Sequence, residues 1–177
     1  MAAPTEFSGS VLKLGDDINT DVIYPGKYIL VYEPEEMKKH LFEGLGPEIS
    51  SRVRPGGIIL AGENFGCGSS REQAAGAIKA AGIPAVIAKS FARIFFRNAV
   101  NFGLLLITCP EAADAVRDGE RIDLDFRAGK ITAPGGRTFS FPPLPDFLMD
   151  IIDAGGLVAH GKKIIAARKA AQGGKKS

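Results

Sequence analysis

Eleven consecutive residues, Gly62-Glu63-Asn64-Phe65-Gly66-Cys67-Gly68-Ser69-Ser70-Arg71-Glu72, bring together three glycines, two adjacent hydroxyls and a guanidinium. The apolar run Gly57-Ile58-Ile59-Leu60-Ala61 precedes them and the alanine-rich stretch Arg71–Ala81 follows. The segment therefore lies between a buried strand and the N-terminus of a helix. Free backbone N–H groups and the helix dipole make such a place an anion site. The glycines let the backbone approach a ligand closely, and Arg71 can hold a carboxylate through two parallel hydrogen bonds.

Three readings compete for this loop. A phosphate loop of the form GxxxxGK[ST] fails, because the fifth residue after Gly62 is Cys67 and no lysine precedes Ser69. A dinucleotide loop of the form G-x-G-x-x-G fails because Arg71 stands where the third glycine is needed. A plain strand-to-helix turn with a serine cap accounts for any one of these residues but not for all of them together. A regulatory module that binds an anion or a nucleotide is a rival from another class, and nucleotide binding by the isolated chain would favour it.

The flanking elements position this loop. Val11–Leu14 alternates and reads as a strand, followed by the polar loop Gly15-Asp16-Asp17-Ile18-Asn19-Thr20-Asp21. Glu33–Glu36 reads as a helix start, with Met37, Leu41 and Phe42 on its apolar face. Gly57–Ala61 is the second strand. Ser69 and Ser70 offer an N-cap to a helix over Arg71–Ala81, and Gly82 closes it. Ala85–Ala88 is a third strand, Ser90 caps a helix over Phe91–Val100, and Leu104–Thr108 is a fourth strand. This alternation predicts an α/β fold with a parallel core. Glu111–Arg117 reads as a short helix. Arg121–Phe126, Ile131–Ala133 and Thr138–Phe141 read as a small β-meander, and helices over Asp146–Ala154 and Leu157–Ala171 close the chain, with Ala170–Ser177 a frayed tail. With no repeat and no long linker, residues 1–177 form one domain.

Three stretches carry a resemblance. Gly66–Glu72 resembles the GxGSSRE signature of the aconitase superfamily's swivel domain, Gly15–Asp21 resembles that family's G-D-[DN]-[IV]-[NST]-T-D loop, and Ser90–Asn98 resembles its SFARIFFRN helix start. Their order and spacing fit as well. The resemblance implies a β/β/α swivelling domain and a dehydration–rehydration that moves a hydroxyl between adjacent carbons of a hydroxy acid. It implies that Ser69 is the base, that Ser70 and Arg71 hold a substrate carboxylate, and that Asp21 is an active-site acid. A serine alkoxide needs nearby positive potential, which a helix N-terminus and an arginine supply.

The family's four-iron four-sulfur cluster takes three cysteine ligands, whereas this chain has two cysteines, Cys67 and Cys109. They form no CxxC and lie near no histidine, so no metal site is expected here. The resemblance therefore points to a small subunit whose partner, a large subunit, brings the cluster. His40 and His160 read as surface residues. The sequence leaves a disulfide between the cysteines open, and reduced thiols in a cytoplasmic protein are the simpler reading. Met1–Ser10 lacks the pattern of a signal peptide, and no apolar run approaches membrane length. A net charge of +2 gives no reason to expect nucleic acid or a membrane as partner.

Within the family, the stretch after the Asp21 loop lines the pocket for the substrate's variable substituent. Types acting on a third carboxylate carry an arginine near the position of Leu30. Here Ile29-Leu30-Val31 is wholly apolar, which suits a hydroxy-dicarboxylic acid bearing a branched apolar group such as isopropyl. An unpaired carboxylate against it would be costly to desolvate. The other readings are that these are core side chains, that the substituent is one or two methyl groups, or that the chain is the small subunit of a homoaconitase-type enzyme.

Overall fold

The computed structural model describes residues 6–173, the side chains of 171–173 apart. In chain order it contains β1 (Glu6–Lys13), the one-turn helices α1 (Thr20–Ile23), α2 (Pro34–Met37) and α3 (Pro47–Ser50), then β2 (Ile58–Ala61), α4 (Glu72–Ala80), β3 (Ala85–Ala88), α5 (Arg93–Asn101), β4 (Leu105–Thr108) and α6 (Pro110–Ala115). Strands β5 (Arg121–Asp125), β6 (Lys130–Ala133) and β7 (Arg137–Ser140) and helices α7 (Asp146–Asp153) and α8 (Leu157–Gly173) follow.

The strands form one sheet in the order β4-β3-β2-β1-β5-β6-β7. Strands β1 to β4 are parallel, and β1 pairs antiparallel with β5, which opens the meander β5-β6-β7. The expected α/β architecture, a parallel core beside a small meander, is thus present. Every residue of β2 and β3 is buried, as both faces of a parallel sheet are covered. Ile59, Ala61, Val86 and Ala88 face the helices α4 and α5 on one side, while Ile58, Leu60, Ala85 and Ile87 pack toward α6 and the meander on the other. Burying an isoleucine or leucine there is worth roughly 1.5–3 kcal/mol. In β5, Ile122 and Leu124 alternate with exposed neighbours, as a strand with one wet face requires.

Several elements differ from the sequence expectation. Strand β1 begins at Glu6, because Glu6–Ser10 pairs with Arg121–Asp125 despite having little apolar alternation of its own. The helix expected after Glu33 stops after one α-turn and one 3-10 turn. Phe42 takes a left-handed conformation (φ 58°), and its N–H donates to the Ile23 carbonyl at 2.8 Å. Met37, Leu41 and Phe42 are nevertheless buried as expected. Neither serine cap forms: Arg71 and Ala92 occupy the N-cap positions of α4 and α5, with no side-chain cap. Gly82 does close α4, at φ +75°. Helix α8 continues through Gly173, so the expected frayed tail is helical to that point, and 174–177 lie outside the described residues.

Helices α4 and α5 are amphipathic connections between parallel neighbours, and so lie on one face of the sheet. The chain turns that lead into them therefore emerge at the carboxyl ends of β2 and β3. Gly66 is needed in the first of these turns. It sits at φ +81°, and a Cβ there would overlap the buried ring of Phe95. Gly66→Ala should cost roughly 2–4 kcal/mol, from the left-handed backbone and the displaced ring together. Urea denaturation of the isolated chain measures it; a loss below about 1 kcal/mol would mean that the turn relaxes.

Candidate active site

Three loops interlock at the carboxyl ends of β1, β2 and β3, where open parallel sheets bind ligands. The loop after β1 is stitched to the loop after β2 by Asp17 N–H to the Glu63 carbonyl (2.8 Å), Gly66 N–H to the Ile18 carbonyl (2.8 Å) and Thr20 N–H to the Cys67 carbonyl (2.9 Å). Side chains add to this: Asp16 accepts from Glu63 N–H (2.7 Å) and Asp17 accepts from Asn64 Nδ2 (2.8 Å). The loop after β3 joins through Phe65 N–H to the Ser90 carbonyl (3.0 Å), and the Ser90 hydroxyl accepts from Asn64 N–H (2.8 Å). Ser90 thus spends its hydroxyl on a loop rather than on a helix cap.

α1 and the turn into α4 bring Thr20 against Ser69 and Asp21 against Arg71. The Asn19 side chain caps α1, accepting from the N–H groups of Asp21 (2.9 Å) and Val22 (3.1 Å). Thr20, next to Asp21, is buried to 1% exposure, and its hydroxyl lies 3.0 Å from Ser69 Oγ and 3.1 Å from the Ser69 carbonyl. Ser69 itself is exposed, as is Ser70, whose carbonyl accepts from Asn98 Nδ2 on α5 at 3.3 Å. The Arg71 guanidinium forms an ion pair with Asp21 and a longer bond (3.4 Å) to the Tyr24 carbonyl. Both contacts use Nη1, so Nε and Nη2 keep donors for a ligand. Gly26 makes room for this arginine: a Cβ there would stand 3.0 Å from Nη2. With no side chain capping α4, the first-turn N–H groups add positive potential beside Ser69.

The turn that holds Ile29, Leu30 and Val31 follows the 3-10 helix Gly26–Tyr28 and sits against the start of α4. Leu30 is 83% exposed and Ile29 41%, which overturns the reading of these two as core side chains; Val31 is half-buried. The turn is braced from behind. Tyr28 stacks on His40 with ring centroids 3.5 Å apart, and Glu43 accepts from Lys27 Nζ (2.6 Å) and Tyr28 Oη (3.1 Å) and lies 3.0 Å from His40 Nδ1. Lys27 above all, with Tyr28 and His40, holds the Glu43 carboxyl down to about 2. His40 is therefore a half-buried brace and not the freely exposed residue its position suggested.

Gln73 escaped the sequence reading, because a glutamine in an alanine-rich run looks like an ordinary helix former. It is 5% exposed, and its Nε2 donates to the Ile29 carbonyl at 2.9 Å. Thr20 lies within the Gly15–Asp21 motif, where the resemblance gives it no role of its own. In its case the signal was available, since a threonine beside an expected active-site acid is placed to touch what that acid touches.

The cysteines do not come together; both are free thiols, Cys67 in the loop and Cys109 buried beneath α6. Burial first, and the Asp17 carboxylate second, push the Cys67 thiol up; burial does the same to Cys109. Among the described residues, no three His, Cys, Asp or Glu side chains stand close enough to hold a metal ion, and no helix is long and apolar enough to cross a membrane.

Comparison with known proteins gives a consistent set of matches. The aconitase C-terminal domain family matches residues 16–112. The chain is 52% identical over 157 residues to the 3-isopropylmalate dehydratase small subunit 1 of Archaeoglobus fulgidus, covering 88% of this chain and 97% of that protein. It is 50% identical over 165 residues to the 3-isopropylmalate dehydratase small subunit of Heliobacterium modesticaldum, covering 93% and 99%. The crystal structure of 3-isopropylmalate dehydratase from Methanocaldococcus jannaschii superposes with a TM-score of 0.86 at 43% identity, over 96% of this chain and 99% of that one.

Proposed function

The chain belongs to the aconitase C-terminal domain family, among the small subunits of a hydro-lyase of leucine biosynthesis, and from that premise we propose how its residues share in interconverting 2-isopropylmalate and 3-isopropylmalate. The observation that carries the proposal is the contact between Ser69 and the buried Thr20 beside the Arg71–Asp21 pair.

In the dehydration, a C–H bond next to the hydroxyl-bearing carbon breaks, its proton passes to the Ser69 alkoxide to give the hydroxyl, and its electron pair forms the double bond as the C–O bond breaks and hydroxide departs to the Lewis acid that the large subunit would supply. Rehydration in the opposite orientation returns the proton to the other carbon. Thr20 has one hydroxyl proton and two acceptors within reach, the Ser69 carbonyl and Ser69 Oγ. Turning that proton from the carbonyl to Oγ stabilises a Ser69 alkoxide, and the start of α4 adds its dipole. Arg71, with the donors left on Nε and Nη2, and the Ser70 hydroxyl hold a substrate carboxylate. Asp21 orients the guanidinium and offsets its charge. Ile29, Leu30 and Val31 form the wall against the isopropyl group. An arginine-free wall argues against a tricarboxylic substrate.

A four-iron four-sulfur cluster does not fit this chain's donor set: its two thiols lie in separate elements, and Cys109 is buried to 1% exposure. We assign the cluster to the large subunit with which a small subunit works. The whole chain acts as one swivel domain, since one sheet runs through both halves, and its two free thiols suit the reducing cytoplasm.

The test is reconstitution. The purified chain alone should be colourless and inactive, and mixing it with a cluster-bearing large subunit should give isomerase activity. An iron–sulfur absorption band with dehydratase turnover in the chain alone would overturn the assignment of the cluster. Nucleotide binding with no activity on mixing would favour a regulatory module.

A further inference from the structure

Thr20 and Gln73 are polar side chains buried to 1% and 5% exposure. Both bridge the same two pieces of chain. Thr20 reaches from α1 to Ser69, and Gln73 reaches from the first turn of α4 back to the Ile29 carbonyl. A buried amide is costly unless it is bonded, so this contact holds its geometry firmly. The turn it grips is also held by its own backbone, through Ile29 N–H to the Gly26 carbonyl (3.1 Å) and Val31 N–H to the Tyr28 carbonyl (2.8 Å), while Tyr28 and Val31 pack against the core. Those bonds set the shape of the turn but not its distance from Ser69. The brace at Tyr28, His40 and Glu43 ties the turn to α2 and the 3-10 turn after it, which reach α4 further along, where Met37 lies against Gly76. Arg71 fixes the near end of the segment at Asp21 and Tyr24. Gln73 fixes the far end, where the exposed apolar side chains stand.

We infer that Gln73 is a positioning residue for substrate selection: its bond to Ile29 sets the gap between the base on Ser69 and the wall formed by Ile29, Leu30 and Val31. Gln73 lies in the first turn of the helix that Ser69 leads into, so the base and the tether are joined by a short stretch of chain. Loss of the amide loosens the exposed Ile29–Leu30 part of the wall and leaves the base in place. The inference rests on the roles proposed above for Ser69 and the wall.

The experiment uses the reconstituted complex with isopropylmalate and with methylmalate, whose substituent is too small to need the wall. Gln73→Met keeps the length and the apolar stem and removes the donor. It should lower kcat/KM for isopropylmalate about tenfold, mainly through KM, and leave that for methylmalate within about twofold. Gln73→His, which puts an N–H donor at similar reach, should restore most of the difference. In the isolated chain, hydrogen exchange at residues 29–32 should quicken in Gln73→Met while α4 keeps its protection. Equal losses for both substrates, or unchanged exchange in the turn, would overturn the inference. Leu30→Arg is measured beside it: a shifted substrate ratio there with none in Gln73→Met refutes the tether alone, whereas no shift in Leu30→Arg removes the wall and the tether with it.

Discussion

Ser69→Ala is expected to lower kcat of the reconstituted enzyme by about a thousandfold, within the range that a positioned general base contributes. The loss should fall on proton abstraction, so exchange of the transferred proton with solvent is the assay of choice. The fold should survive, because Ser69 is exposed and does not cap α4. Its removal leaves Thr20 with the Ser69 carbonyl, 3.1 Å away, as an acceptor for its proton, so no buried donor is orphaned. Subunit association should likewise persist. Near-normal proton exchange in the mutant complex would mean that another group is the base, and the Thr20 hydroxyl would be the next to test.

The second large effect is one of selectivity. Leu30→Arg should move the ratio of specificity constants between isopropylmalate and a tricarboxylic substrate such as homoaconitate by about a hundredfold toward the latter. An arginine among Ile29 and Val31 crowds the space for an isopropyl group and gives a third carboxylate a bidentate partner. At 83% exposure Leu30 contributes little to the core, so stability should stay within about 0.5 kcal/mol. The chemistry proposed for Ser69 is untouched, which places the change in the ratio and not in the best attainable kcat. An unchanged ratio would remove Leu30 from the pocket and, with it, the ground for reading an apolar substituent from this turn.

The parts of the fold that could be read from the residues were those where one physical rule dominates. Strands β2 and β3 are short apolar runs, β2 between Gly57 and Gly62 and β3 following Pro84, and burial on both faces leaves no other arrangement for them. β5 alternates, and its buried residues are the apolar ones. The first half of β1 was not readable, since Phe7-Ser8-Gly9-Ser10 is a strand only because β5 lies beside it. The serine caps were misplaced for a related reason. A hydroxyl next to a helix start has local and distant partners, and here the distant ones, Thr20 for Ser69 and Asn64 for Ser90, hold it. At the site, the two serines and Arg71 stand out from the loop's own residues, and the roles of Ser69, Ser70 and Asp21 come from the resemblance. The structure gathers Ser69, Arg71 and Asp21 around α1 and the start of α4. Gln73 could not have been named, since its role depends on which carbonyl lies opposite it.

The double pairing of β1 bears on how the chain is made. Its second half takes β2 as a parallel neighbour through Val11 and Ile58, and its first half takes β5 as an antiparallel one through Glu6 and Asp125. Both partners are synthesised after it. A nascent chain that has passed Thr108 already contains all four parallel strands and can close the active-site loops, yet Glu6–Ser10 still has a bare edge. That edge is sealed only when the meander leaves the ribosome. Such long-range pairing is slow to form and open to wrong partners while it waits. Charge at Glu6 and a glycine at position 9 are the kind of residues that keep an unpaired strand from joining another chain in the interval.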